Sequence, residues 1–179
     1  MSENRDVFLA KLAEEAERYD DMVTYVTRFA KELGPKMDVE QRNLLSVAYK
    51  NVVGAKRASW RVLSSMELGK ASENNAALVS EYKEKVEKEL VDTCHELLQL
   101  LDTYVLEKMS DSESDKDSKE AIVFFRKMAG DYYRYIAEIK KGDQRTEAAN
   151  QAEKHYSAAR KIELAPTSPI RLGLALNFS

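Results

Sequence analysis

The chain has 179 residues and a formal net charge of −3 at pH 7, enough for one domain of ordinary size and without the basic excess that marks a nucleic-acid binder. With only 6 glycines and 3 prolines, the composition argues against many short strands joined by turns and for long helices. Charged residues make up 33%, above the ~25% of an average globular domain, which points to a large solvated surface. No apolar run of membrane-spanning length is present, the lone Cys94 cannot form an intramolecular disulfide, and no secretory signal peptide is visible. The chain therefore reads as a soluble, reduced, intracellular protein, cytoplasmic with access to the nucleus.

At the N-terminus, Leu9, Leu12, Ala13 and Ala16 form an apolar helix edge, with Arg18 and Asp21 at the following turn. From the pattern alone this edge fits an intramolecular core or a dimer seam. A second helix begins near Asp20 and is stopped by Gly34-Pro35. Asp38 caps the third, and Gln41 three residues later completes a capping box. Helical apolar spacing then runs from Leu44 to about Met66, and Gly69 with the polar run Ser72-Glu73-Asn74-Asn75 ends it. Tyr82, Val86, Leu90, Cys94, Leu97, Leu101 and Tyr104 form one continuous stripe at spacings of three and four, with Lys85 and Glu89 one turn apart on its edge. Ser110 to Ser118 is expected to be an exposed loop with no means of packing. Helical spacing resumes from Ile122 to Ile139, and Gly142-Asp143 is another break. Pro166-Thr167-Ser168-Pro169 reads as a stop followed by a start, Ser168 the cap and Pro169 the first helical position. The result is an all-α array of about seven helices, antiparallel where loops are short, without an internal repeat.

His95 and His155 lie in different helices, and neither has a metal-ligand neighbour at i+4. There is no His-Glu-x-x-His, Cys pair, phosphate-binding glycine loop or Gly-x-Ser-x-Gly. Cys94 sits on the apolar stripe and reads as a buried structural thiol. The chain is read as a non-enzyme with no metal and no cofactor.

Two basic constellations stand out. Lys50, Gly54, Arg57 and Arg61 follow one another in the third helix at steps of four, three and four; Lys127, Gly130 and Arg134 follow in the fifth at three and four. A seven-residue step returns within about 20° of its starting direction, so Lys50 and Arg57 share one face and Lys127 and Arg134 another. Glycine in an exposed helix costs ~1 kcal/mol relative to alanine. One between cations on each helix would leave a hollow ringed by long basic arms. If the faces meet across a groove, the arms converge on one anion, and arginine's planar fork suits phosphate. A phosphoseryl group carries about −1.5 to −2 charges and three acceptor oxygens. Tyr135 could add a hydroxyl, and Asp131 and Glu138 stand at i−3 and i+4 from Arg134, placed to hold its guanidinium. The same spacing also fits a solvated helix face, with the glycines serving close helix packing and the acids ordinary surface ion pairs.

These residues lie in longer segments. Arg-Asn-Leu-Leu-Ser-Val-Ala-Tyr-Lys-Asn-Val at 42–52 resembles the first signature of the 14-3-3 family. Ala-Glu-Arg-Tyr-Asp-Asp-Met at 16–22, Gly-Asp-Tyr-Tyr-Arg-Tyr at 130–135 and Pro-Ile-Arg-Leu-Gly-Leu-Ala-Leu-Asn-Phe-Ser at 169–179 are similar to that family too. Phosphomotif reading by Arg clusters is its recognition mode. The resemblance implies an all-α antiparallel array, L-shaped to cup-shaped and dimeric, here with about seven of the family's nine helices. It implies a phosphoserine/phosphothreonine-dependent adaptor that holds client segments in a groove and regulates signalling. Carried over by position, Lys50, Arg57, Arg134 and Tyr135 would hold the phosphate, Arg61 and Lys127 would support them, Asn177 would contact the peptide backbone, and Leu176 would begin the apolar wall. The resemblance pairs Arg18 with Glu89 and Asp21 with Lys85 of a second protomer, with Leu12, Ala16, Ser59, Leu63, Met66 and Tyr82 packed between. Residues 1–34 would be the dimerisation helices and 38–179 the groove-forming ones of a single domain. Homodimers, or heterodimers with other members, are implied, with no nucleic acid and no membrane insertion. Lys56-Arg57-Ala58 departs from the family's usual Arg-Arg before its Ser-Trp but keeps the pocket arginine. The family continues past the apolar segment Ile170 to Ser179, so a truncated form is expected, with the alternative of a helical dimer scaffold impaired in phosphopeptide binding.

Overall fold

The computed structural model of the chain describes residues 4–69, 74–110 and 115–162. The expected start at Ser168-Pro169, and with it Leu176 and Asn177, lies outside them. Six α-helices make up the described part: α1 (Arg5–Glu15), α2 (Tyr19–Leu33), α3 (Val39–Leu68), α4 (Ala76–Tyr104), α5 (Lys116–Ile139) and α6 (Gly142–Arg160). There is no strand among the described residues. Each helix packs mainly on a neighbour in sequence.

The turns follow from local chemistry. Between α1 and α2, Glu17 adopts a φ of +54°. That lets the Ala16, Glu17 and Arg18 amides donate back to the Leu12, Glu14 and Ala13 carbonyls, satisfying the end of α1. Gly34 ends α2 with a φ of +53°, and a Cβ there would stand 2.5 Å from the Tyr104 carbonyl oxygen, so only glycine fits where α2 meets the end of α4. The Asp38 capping box is present in full: Asp38 Oδ1 accepts from the Gln41 amide, and the Gln41 side chain accepts from the Asp38 amide, both at 2.9 Å. The expected loop to Ser118 is shorter than the sequence implies. Asp115 caps α5 by accepting from the Ser118 amide (2.9 Å), so the helix begins at Lys116. A polar run rich in Asp and Ser supplied a cap, where composition alone pointed to a loop.

The core lies along the inner part of the predicted stripes, while Tyr82 and Met66 at their outer ends are exposed. Leu90, Cys94, Leu97 and Leu101 of α4 are fully buried, together with Met22, Val26 and Phe29 of α2, Leu45, Ala48 and Tyr49 of α3 and Phe125 of α5. Burial pushes the Cys94 thiol up to about 12, so it stays protonated and inert. Arg42 is buried, donates to the Met37 carbonyl (3.3 Å) and lies 5.9 Å from the Phe124 ring centroid, tying the start of α3 to α5.

α6 packs almost wholly on α5. Its apolar face is small: Ala148, Ala152, Tyr156 and Ala159, with His155 buried beside them. His155 stacks on Tyr133 at 5.6 Å. Its Nδ1 finds no hydrogen-bond partner among the described residues. Burial, and then the nearby Arg126 and Lys154, hold its pKa down to about 4, against the ordinary 6.5. The unfolded chain therefore takes up this proton first as pH falls. The stability contributed by neutral His155 is present above about pH 6.5 and is lost towards pH 4. In urea unfolding, the parent is expected to lose about 1–3 kcal/mol more than His155→Phe between pH 7 and pH 4.5. Equal losses would place the acid sensitivity elsewhere.

Candidate functional site

The basic residues of α3 and α5 do converge. A cavity of about 280 Å³ opens between the two helices, lined by Ser46 and Lys50 from α3 and by Phe124, Lys127, Met128, Asp131, Tyr132, Arg134 and Tyr135 from α5. Arg57 reaches across about two turns further along α3. Its guanidinium carbon lies 3.9 Å from the Tyr135 ring centroid, and its Nη2 donates to Glu138 Oε2 at 2.8 Å. Arg61 stands 3.9 Å from the same carboxylate.

Two carboxylates hold the cations together. Asp131 Oδ2 accepts from Lys127 Nζ at 2.8 Å, and Arg134 Nη2 lies 3.6 Å from Asp131 Oδ1. Glu138 serves Arg57 and Arg61. That corrects the expectation that it would hold Arg134: from α5 its side chain points across the groove to α3. Lys50 is exposed and makes no ion pair among the described residues. Four cationic side chains thus meet two carboxylates, and Lys50 adds a fifth positive charge beside them. For Arg134, burial alone would lower the pKa, but Tyr156, Asp131 and Tyr135 together raise it. The Tyr135 phenol is raised by burial and by Asp131, against the opposing pull of Arg57 and Arg134, so it remains a protonated donor at neutral pH. Arg57 Nε has no hydrogen-bond partner among the described residues, and the guanidinium is not saturated by protein acceptors there.

The two glycines play different parts. A Cβ on Gly54 would meet nothing within 4 Å, consistent with a hollow on α3. A Cβ on Gly130 would stand 2.6–2.9 Å from the Tyr156 ring, so this glycine admits α6 against α5 and leaves no hollow. Sequence reasoning missed Tyr156, whose hydroxyl donates to Asp131 Oδ1 at 2.5 Å. It lies 25 residues from Asp131, on a helix with no basic pattern of its own, and the only signal for it was the Gly130 that its ring requires.

The chain matches the family model described as 14-3-3 protein over residues 9–179. It is 50% identical over 186 aligned residues to the 14-3-3-like protein GF14-C of Oryza sativa subsp. japonica, covering 100% of this chain and 70% of that protein. The figures are the same for 14-3-3 protein 2 of Solanum lycopersicum. For 14-3-3-like protein B of Nicotiana tabacum they are 49% over 187 residues, covering 100% of this chain and 71% of the relative. This chain belongs to the 14-3-3 family. Membership supports, in general terms, a phosphoserine/phosphothreonine-binding adaptor role, with client binding and dimer formation; proteins of this family are known as binding adaptors rather than enzymes. Among the described residues no helix is long and apolar enough to cross a membrane.

In this 14-3-3 chain the residues assigned to the dimer seam lie largely on the surface. Leu12, Met66 and Tyr82 are 46%, 49% and 56% exposed. Ala16, Arg18, Ser59, Lys85 and Glu89 are exposed, and Asp21 and Leu63 are half-buried. Within one chain Arg18 Nε donates to Asp21 Oδ2 at 2.6 Å, Lys56 pairs with Glu89 at 3.3 Å, and Lys85 sits over the Tyr82 ring.

The contrast between the glycines is testable by thermal and denaturant unfolding. Gly130→Ala forces the buried Tyr156 ring aside and is expected to destabilise by about 1–3 kcal/mol. Gly54→Ala meets open space and is expected to stabilise by up to about 1 kcal/mol.

Proposed function

We propose that this 14-3-3 chain is a phosphoserine/phosphothreonine-dependent adaptor that binds client segments in the groove between α3 and α5. The observation that carries the reading is the local excess of cations around the cavity, five against two carboxylates, in a chain whose overall charge is −3. Lys50, Arg57, Arg134 and Tyr135 hold the phosphate, Arg61 and Lys127 support the field, and Leu176 and Asn177 contact the client peptide. The phosphate enters where Lys50 and Arg134 line the cavity and where Arg57 is pre-set by its stack on Tyr135. It takes charge-assisted hydrogen bonds from both guanidinium groups and a further one from the Tyr135 hydroxyl. Tyr135 presents its ring to Arg57, and that stack limits the rotamer freedom binding would otherwise remove. Binding makes and breaks no covalent bond; the adaptor masks, clamps or reorients its client in cytoplasmic signalling.

The seam residues of α1, α3 and α4, with Ala16, Arg18 and Asp21 at the α1–α2 turn, join two copies, with Leu12, Met66 and Tyr82 covered in the dimer. Phe8, Val62 and Leu78, 49%, 60% and 64% exposed, extend the same apolar set.

Fluorescence anisotropy against a labelled Arg-x-x-phosphoSer-x-Pro peptide and its unphosphorylated twin tests the site. Saturable binding of the phosphorylated form alone is expected. Arg57→Ala or Arg134→Ala is expected to weaken it by about 2–4 kcal/mol, the loss of a charge-assisted partner. Lys50→Glu should do at least as much by reversing the local field. Parent-like binding by all three variants would show the pocket to be misplaced. For the seam, the double variant Arg18→Glu, Asp21→Lys preserves an ion pair within the chain but opposes like charges across the interface. Sedimentation is expected to show monomer; a dimer would remove the proposed pairing.

A further inference from the structure

The groove is built on α5, yet one of its supports comes from behind. Tyr156 of α6 lines no part of the cavity. It is 5% exposed, its ring seated on the backbone at Gly130, where any side chain would collide with it. Its hydroxyl donates to Asp131 Oδ1 at 2.5 Å, and Arg134 Nη2 lies 3.6 Å from the same oxygen. Asp131 Oδ2, the carboxylate's other oxygen, accepts from Lys127 at 2.8 Å. One phenol on the far side of α5 therefore fixes the rotation of a carboxylate, and that carboxylate holds two of the groove's cations. We propose that Tyr156 is a positioning residue for phosphate recognition, which orients Asp131 and through it sets where Lys127 and Arg134 stand on the groove face.

The chemistry suits the role. Burial raises the phenol above its ordinary range, and the hydrogen bond to Asp131 adds to this, so the hydroxyl stays protonated and a donor throughout the neutral range. Asp131 must be held in this way. Free to rotate, its carboxylate could swing into the cavity and chelate Arg134 with both oxygens, a like-charged competitor for the phosphate. With one oxygen on Tyr156 and the other on Lys127, it neutralises part of the repulsion between the cations without occupying the space between them. The Gly130 backbone makes the arrangement possible, because only there can the ring come close enough for its hydroxyl to reach Asp131.

The inference rests on the binding reading above, and the test separates the two. Tyr156→Phe keeps the ring on Gly130 and removes only the hydroxyl. Phosphopeptide anisotropy of the full chain is expected to show about five- to tenfold weaker binding, as when a charge-assisted hydrogen bond in a network is lost, with an unchanged far-ultraviolet circular dichroism spectrum. Asp131→Asn should weaken binding at least as much, and adding Tyr156→Phe to it should weaken binding no further, because Tyr156 acts only through Asp131. A purely structural tyrosine would leave affinity unchanged at temperatures where the variant is folded, and its effect would not depend on Asp131. Tyr156→Phe binding within about twofold of the parent, or effects that multiply in the double variant, would overturn the relay. In the unmodified chain, nuclear magnetic resonance signals of the Tyr156 ring should shift on adding the phosphopeptide although α6 does not touch it. Unmoved signals would overturn the relay without recourse to any variant. If the parent does not distinguish the phosphorylated peptide from its twin, the groove assignment itself falls, and this inference with it.

Discussion

The groove depends on holding like charges close together. Along α5 the facing residues alternate in sign, Lys127, Asp131, Arg134 and Glu138, at steps of four, three and four. Each cation there has a carboxylate one turn away, and the helix face sums to neutral. The corresponding face of α3 does not alternate: Lys50, Gly54, Arg57 and Arg61 carry only positive charge. The excess therefore belongs to α3, and α5 is the element that makes it tolerable. Glu138 shows this directly, since it reaches across to Arg57 and Arg61. Repulsion between cations a few ångströms apart amounts to kilocalories at the effective dielectric of a protein surface. The interleaved carboxylates keep that repulsion from splaying the helices.

The fold serves this arrangement through its length and layering. α3 and α4 run for 30 and 29 residues, longer than most globular helices. The inner part of each packs in the core, as Leu45, Ala48, Leu97 and Leu101 do. Towards the end of α3 and the start of α4, Val62, Met66, Leu68, Leu78 and Tyr82 are apolar but exposed in the single chain. Here the two helices run past their own core. The α1 residues Phe8 and Leu12 are exposed likewise. Apolar residues at helical spacing on three elements form a surface of the kind that buries itself in a partner, and this is the surface the proposed seam uses. Beyond α5, α6 adds little apolar area of its own. Its packing relies on small residues and on one tyrosine that the missing Gly130 side chain admits.

Much of this was legible in the sequence, for stated physical reasons. The capping box at Asp38, the stop at Gly34 and the buried stripe through Cys94 are local or periodic signals, and each is found where its spacing put it. The sharing of faces by Lys50 with Arg57 and by Lys127 with Arg134 followed from helix geometry alone. That these faces meet followed only from the family resemblance, because no sequence spacing relates α3 to α5. The misreadings have the same origin. Gly130 looked like Gly54 because both sit between cations; the difference lies in Tyr156, a residue 26 positions on that packs against one and not the other. Glu138 was assigned to Arg134 because i and i+4 are neighbours on a helix, but a partner across the groove won. Asp115 was read as part of a featureless polar run when its position made it a cap.

The same electrostatics bear on what the proposed groove would accept. Arg57 already holds a carboxylate, Glu138, at 2.8 Å with its guanidinium stacked on Tyr135. A client aspartate or glutamate offers Arg57 one more carboxylate of the same charge and the same geometry. It would have to displace Glu138 for no gain in charge, or enter beside it and add repulsion between two anions. A phosphoseryl group is different in kind. It brings about −1.5 to −2 charges and three acceptor oxygens, enough to engage Arg134, Lys50 and Tyr135 together while Glu138 keeps its hold on the outer edge of Arg57. Five cations and two carboxylates leave three positive charges in excess; one further negative charge leaves two of them unmatched, and a phosphate dianion leaves one. The internal carboxylates therefore do more than relieve repulsion. By meeting the demand for one or two ordinary acids from within the chain, they leave a deficit that a doubly charged group comes closer to filling than a singly charged one.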